Sequence, residues 1–287
     1  MEIFYLNIRS IRNKTGEIEA CFSDKYDFDV LCFTEHFLLE SELDTLKINN
    51  FMVESYFCRD TSPHGGSIIL AKPQLVCRER DDLTSISVEN HIEIAAIEIK
   101  SLKSLIITIY RPPSGNIHIF LESMSILLTK LNENENTIIN GDFNVHFNLK
   151  NKNVNDLLDL MRSFGFEGQV DMPTHKSNII DNVFINFHNS NTTLNVKDHF
   201  LSDHRAIHLA VDILEKPRVP ECVTYRPITK QGKYTMYNYL VDTDWSFALS
   251  GEISIEKKFN MFLGTFVEAI NLPFPCKKKQ VMSGTLK

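Results

Sequence analysis

The chain has 287 residues, 43% of them hydrophobic and 23% charged, enough apolar material for a large core and unlike a disordered chain. No apolar run approaches the roughly 18 residues of a membrane span, and the N-terminus lacks the basic-then-apolar order of a secretory signal, so an intracellular protein without a membrane anchor is expected. The formal net charge of −7 speaks against a protein that coats DNA through lysine and arginine, but not against an enzyme with a carboxylate metal site.

In chain order, runs rich in β-branched and aromatic residues predict strands at residues 2–8, 29–34, 67–71, 93–100, 104–110, 137–141, 179–184 and 206–213. Between them, apolar residues at helical spacing predict helices at 117–131 and 154–164, the second capped by Asn153. The mixture implies α and β layers packed together. After Pro217 the texture changes, with Pro220 and Pro227 following closely and two helix-like stretches ending near Leu272. A boundary is placed there, giving a domain over 1–216 and a partly helical extension over 217–287. The basic run Lys277 to Lys279 reads as a solvated tail. Cys21, Cys32, Cys58, Cys77, Cys222 and Cys276 are scattered without a C-x-x-C pair and read as reduced thiols.

The strands end in polar residues. Asn7 closes the first, and Glu35 follows the second, at the kind of strand end that lines clefts in layered α/β proteins. Tyr110 closes another before Arg111-Pro112-Pro113. Asn140-Gly141-Asp142-Phe143-Asn144 ends a further strand, and strand alternation would point Asp142 and Asn144 the same way. A plain turn is the alternative, since Gly, Asp and Asn are common turn residues. Asp181 interrupts an apolar strand and, if buried, needs a partner. Ser202-Asp203-His204 offers a carboxylate beside an imidazole, though such turns are common. His204 and His208 would be neighbours on a helix, but on a strand they stand about 13 Å apart, too far to share an ion. Carboxylates, amides, one tyrosine and one histidine at strand ends suit metal-assisted phosphate ester hydrolysis.

This ordered set, spanning roughly residues 1 to 213, resembles the endonuclease/exonuclease/phosphatase superfamily. Thr34-Glu35, His64-Gly65-Gly66, Ile109 to Pro113 and Pro173-Thr174-His175 are similar to non-LTR retrotransposon endonucleases more than to deoxyribonuclease I or inositol phosphatases. Asp244-Trp245, the helix near 259–270 and Phe274 to Lys277 resemble the linker from such an endonuclease toward a reverse transcriptase, whose polymerase core does not follow. The resemblance implies a deoxyribonuclease I-like four-layer sandwich of two packed mixed β-sheets flanked by helices, acting as a monomer that nicks DNA in the nucleus with Mg2+ or Mn2+. It implies that Glu35 binds Mg2+ with Asn7 and Asp203, that Asp142 orients or deprotonates the attacking water, and that Asn144 and Tyr110 hold the scissile phosphate. Asp181 would pair with His204, favouring its protonated form, while Thr174 and Ser202 assist phosphate contact. The chain departs from the pattern by starting six residues before Asn7 and by placing His36 where Trp is more usual. Two other readings are a phosphoesterase on a small substrate and a catalytically silent binding module. The latter predicts lost catalytic residues, and every such position is suitably filled.

Overall fold

The computed structural model describes all residues except 23–26, 61, 63, 133–134, 188–191, 213–220 and 282–287. In chain order the elements are β1 (Glu2–Asn7), α1 (Thr15–Phe22), β2 (Val30–Thr34), α2 (Glu40–Leu43), β3 (Met52–Phe57), β4 (Ser67–Ala71), β5 (Cys77–Glu79), α3 (Asp81–Thr84), β6 (Glu93–Ile99), a 3-10 turn (Lys100–Leu102), β7 (Ser104–Tyr110), α4 (Ile117–Thr129), β8 (Asn136–Asp142), α5 (Lys152–Ser163), β9 (Glu167–Gly168), β10 (Asp181–Ile185), β11 (Thr193–Lys197), β12 (Ala206–Ala210), β13 (Glu221–Tyr225), α6 (Lys230–Asp242), α7 (Ser246–Leu249), α8 (Ile255–Asn271) and β14 (Lys277–Val281).

Two six-stranded mixed sheets form, ordered β11-β12-β1-β2-β4-β3 and β5-β6-β7-β8-β10-β9. Each has one parallel pair near its centre, β1 with β2 and β7 with β8, reached through α1 and α4 respectively. The other pairs in these two sheets are antiparallel. The central strands are apolar at nearly every position because both their faces are covered. Ile3, Tyr5, Val30, Cys32 and Ile69 of one sheet pack on Ala95, Ile97, Ile106, Ile138 and Val183 of the other. Outside the second sheet, Ile94, Ile107 and Ile109 meet Phe120, Met124, Leu127, Leu157 and Met161 of α4 and α5. Outside the first, Phe4, Leu6, Leu31 and Phe33 meet Ile18 and Leu43. The result is the expected four-layer sandwich of two mixed sheets flanked by helices.

Several boundaries differ from expectation. The helix expected at 154–164 starts at Lys152, and its cap is Asn151, whose side chain accepts from the Val154 amide; Asn153 lies inside the first turn. The strand expected from 179 starts at Asp181, because the carbonyls of Ile179 and Ile180 accept from Phe147 and Phe143 instead of joining a ladder. Five cysteines, Cys21, Cys32, Cys58, Cys77 and Cys276, are free.

The chain divides into two compact units, Met1–Leu214 and Glu215–Lys287. In the second, α6 and α8 are linked by a bond from the Tyr239 hydroxyl to Glu268, and Trp245 packs against Phe247 and Phe262. A two-stranded antiparallel sheet of β13 and β14 accompanies them. Among the described residues no helix is long and apolar enough to cross a membrane.

Candidate active site

Topology concentrates the polar residues at one sheet edge. Parallel strands present their C-terminal ends together, so Asn7 of β1 lies opposite Thr34 of β2, and Tyr110 of β7 opposite Asp142 of β8. Antiparallel partners bring their starting ends to the same edge: Asp181 of β10 lies directly across from Asp142, and His204 precedes β12, which runs back along β1.

Asn7 is fully buried and its amide donates to Glu35 Oε1 at 3.0 Å and to Asp142 Oδ2 at 2.8 Å. The Tyr110 hydroxyl donates to the same Glu35 oxygen at 2.9 Å. Glu35 has a positive φ of 54°, and Gly66 O accepts its amide at 2.8 Å, which turns the chain sharply as it leaves β2. Burial and the Glu35 carboxylate push the Tyr110 hydroxyl far above the usual phenol range, so it stays a donor.

A second group abuts the first. Asp181 Oδ2 and His204 Nδ1 are 2.9 Å apart, and Asp181 Oδ1 accepts from the Tyr5 hydroxyl at 2.8 Å. Thr34 Oγ1 lies 3.1 Å from that hydroxyl. Burial opposes charge on His204, but the bond to Asp181 and the fields of Asp181, Asp142 and Asp203 outweigh it and push the imidazole up to about 9. His204 is therefore an imidazolium at neutral pH. Burial and the facing Asp181 hold Asp142 well above the ordinary carboxylate range. A cation bound beside these two buried carboxylates would favour their charged forms. Ligand atoms of Asp142, Asp181 and His204 lie within 4.8 Å of one another, and so do those of His175, Asp203 and His204.

The remaining expected residues are placed differently. Asn144 does not continue the strand face of Asp142. It has a φ of 46°, its amide N–H donates to Asp142 Oδ1 at 3.0 Å, and its side chain donates to the Arg111 carbonyl at 2.8 Å. Asp203 does not join Glu35 and Asn7: it pairs with Arg9 at 2.6 Å and lies 3.5 Å from His175 Nε2. Thr174 is buried and its hydroxyl accepts from the amides of Ile180 and Asp181, bracing the turn that delivers Asp181. Ser202 Oγ accepts from the His204 amide at 3.3 Å. His208 packs on Phe4 and Phe28 on the outer side of its sheet, away from His204. His188 lies outside the described residues.

Sequence reasoning passed over Tyr5, Arg9 and Arg111. Tyr5 had a signal, since it stands two residues before Asn7 on the same strand face. Arg111 is buried, with its guanidinium bonded to the carbonyls of Phe143, Asn144 and Gly115, tying the loop after β8 to the one after β7. His175 stacks on His204, with ring centroids 4.6 Å apart.

Residues 104–208 match the model of the endonuclease-reverse transcriptase family. No curated protein matches by sequence. Among solved structures, the endonuclease domain of TRAS1, a telomere-specific non-LTR retrotransposon, is similar with a TM-score of 0.55 and 16% identity, covering 75% of this chain and 99% of its own. The 3′ phosphatase NExo from Neisseria, solved with a product DNA hairpin, gives 0.54 and 13% over 74% of this chain and 99% of its own. An AP endonuclease from Archaeoglobus fulgidus gives 0.52 and 13% over 74% of this chain and all of its own, 100%. These likenesses concern the fold. The match over residues 104–208 is a similarity to that family, and the two mixed sheets flanked by helices agree with the fold of these endonuclease and phosphatase structures.

Proposed function

We propose that the chain is a Mg2+-dependent DNA endonuclease that nicks one strand by water attack on the scissile phosphate. The observation that carries this reading is the continuous hydrogen-bonded chain Tyr110–Glu35–Asn7–Asp142, meeting the Asp181–His204 pair at one sheet edge. Neither half alone is unusual. Together they supply oxygen ligands, a group for the water and a charge for the phosphate.

Glu35 and the Asn7 carbonyl oxygen would hold the ion, with hard oxygen donors suited to Mg2+ and Mn2+ alike. Bound Mg2+ supplies Lewis-acid stabilisation of the phosphoryl oxygens. Asp203, engaged by Arg9, sits at the rim and serves the ion only if Arg9 moves to a substrate phosphate. Asp142 accepts a proton from the attacking water or orients it, and the Asn7 amide and Asn144 backbone N–H fix its carboxylate. His204, held by Asp181 and charged at neutral pH, donates to the oxygens on which negative charge grows. Tyr110 orients Glu35 and contacts the phosphate, with Asn144 and Ser202 completing its cradle, while the buried Thr174 acts indirectly by bracing the turn before Asp181. Action in the nucleus follows from this substrate.

The test is conversion of supercoiled plasmid to open circle by the full chain in Mg2+, beside EDTA, Asp142→Ala and His204→Ala controls. Metal-dependent nicking absent from both variants supports the reading. No nicking in Mg2+ or Mn2+ turns it toward a small phosphoester or a silent binding module.

A further inference from the structure

Beside His204 the surface opens into a cavity of about 470 Å3, lined among others by Lys176, Asp198, His199, Phe200, His204 and Arg205. At 76% exposure Phe200 is the most exposed phenylalanine among the described residues. Its ring is nonetheless supported: it stacks on His199 with centroids 5.2 Å apart and planes 23° from parallel, and His199 in turn stands edge-on to the buried Phe4 of β1 at 5.5 Å. One face of Phe200 is thus backed by the core and the other is open to solvent. No apolar packing explains the exposure.

We propose that this cavity is a nucleoside subsite, in which the base flanking the scissile phosphate stacks on Phe200. The inference rests on the phosphodiesterase reading and adds the place where the next nucleotide lies. His204 lines the same cavity, so a base seated there is attached to the phosphate that His204 serves. Every nucleobase offers a π-face, so a backed aromatic ring binds without selecting sequence. Lys176 and Arg205 supply positive charge beside Asp198 and Asp203; the Arg205 Nε is 2.8 Å from Asp198 Oδ1, which leaves Lys176 as the readier partner for an adjoining phosphate.

The test uses the full chain with Asp142→Asn to stop turnover, bound to duplex oligonucleotides carrying 2-aminopurine at successive positions around the cleavage point. Quenching confined to one or two adjacent positions, removed by Phe200→Ala and kept by Phe200→Trp, is expected. In the otherwise unaltered enzyme Phe200→Ala should raise KM about tenfold with kcat little changed, the loss that stacking on one aromatic ring supplies. The melting temperature should not move, because the ring is mostly solvated. Plasmid nicking that persists with an unchanged KM in Phe200→Ala, and quenching indifferent to residue 200, would overturn the subsite alone. Absence of nicking by the unaltered chain would instead remove the phosphodiesterase reading beneath it.

Discussion

Tyr5 shows how a residue without chemistry of its own holds the chemistry in place. Its hydroxyl is buried between Thr34 and Asp181, and burial with the Asp181 field keeps it protonated well above its ordinary value. Tyr5→Phe leaves Asp181 one donor short in a dry site, which should cost about 1–3 kcal/mol. It should also lower the nicking rate, because Asp181 then holds His204 less firmly; a melt and a plasmid assay read the two effects separately. Removing the group proposed to orient the water is more severe, and Asp142→Asn should reduce kcat by roughly 10²–10⁴. The imidazole adds a pH dependence. His204 in the fold titrates at about 9, above its ordinary 6.5. Its ion pair therefore stabilises the fold fully below pH 6.5 and loses that contribution as pH rises through about 9. Urea unfolding in EDTA should show the advantage over His204→Gln shrinking by roughly 3 kcal/mol across that window. A difference that stays flat with pH would contradict the ion pair.

At the scale of elements, the strand ends are only as well placed as the loops behind them. Gly66 has a φ of +89°, its carbonyl accepts the Glu35 amide, and a Cβ there would meet the His36 ring at 2.2 Å. His36 is fully buried, with Nδ1 accepting from the Leu38 amide and Nε2 bonded to the Phe57 carbonyl. The interior at this position is thus filled by a hydrogen-bonded ring. Gly66→Ala should destabilise the protein by more than about 1 kcal/mol and impair nicking by displacing Glu35; a normal melt with full activity would refute the arrangement. Both sheets' central strands were legible from sequence because burial on two faces makes them continuously apolar. The strands β3, β5, β9 and β11 were not: they lie at or next to sheet edges, and β5, β9 and β11 carry exposed polar residues that break the pattern. The site was legible for a related reason. Polar residues interrupting apolar strands mark sheet ends, and the ordered spacing of Asn7, Glu35, Tyr110, Asp142, Asp181 and His204 marked them together. Asn144 and Asp203 were placed less well, since a left-handed backbone and an ion pair to Arg9 leave no periodic trace.

For the whole molecule the question is which part of the chain the site needs. The three apolar clusters that build the sandwich draw their buried residues from Ile3 to Val211, and none includes a residue of the second unit. Every group in the site, from Tyr5 to His204, also falls within Met1–Leu214. The second unit has a different surface, with Phe259, Phe262, Leu263, Phe266 and Val267 of α8 all partly exposed to solvent. A chain ended at Leu214 should therefore melt in one cooperative transition and nick plasmid within about threefold of the full-length rate, since it keeps every core contact and every reacting group. Because it lacks the exposed apolar side chains of α8, it should also scatter no more light than the full chain at equal concentration. Calorimetry, a nicking time course and light scattering on both lengths decide the matter. If the shortened chain fails to fold or loses nicking by orders of magnitude, residues after 214 contribute to the sandwich or its site, and the independence of the first unit is wrong.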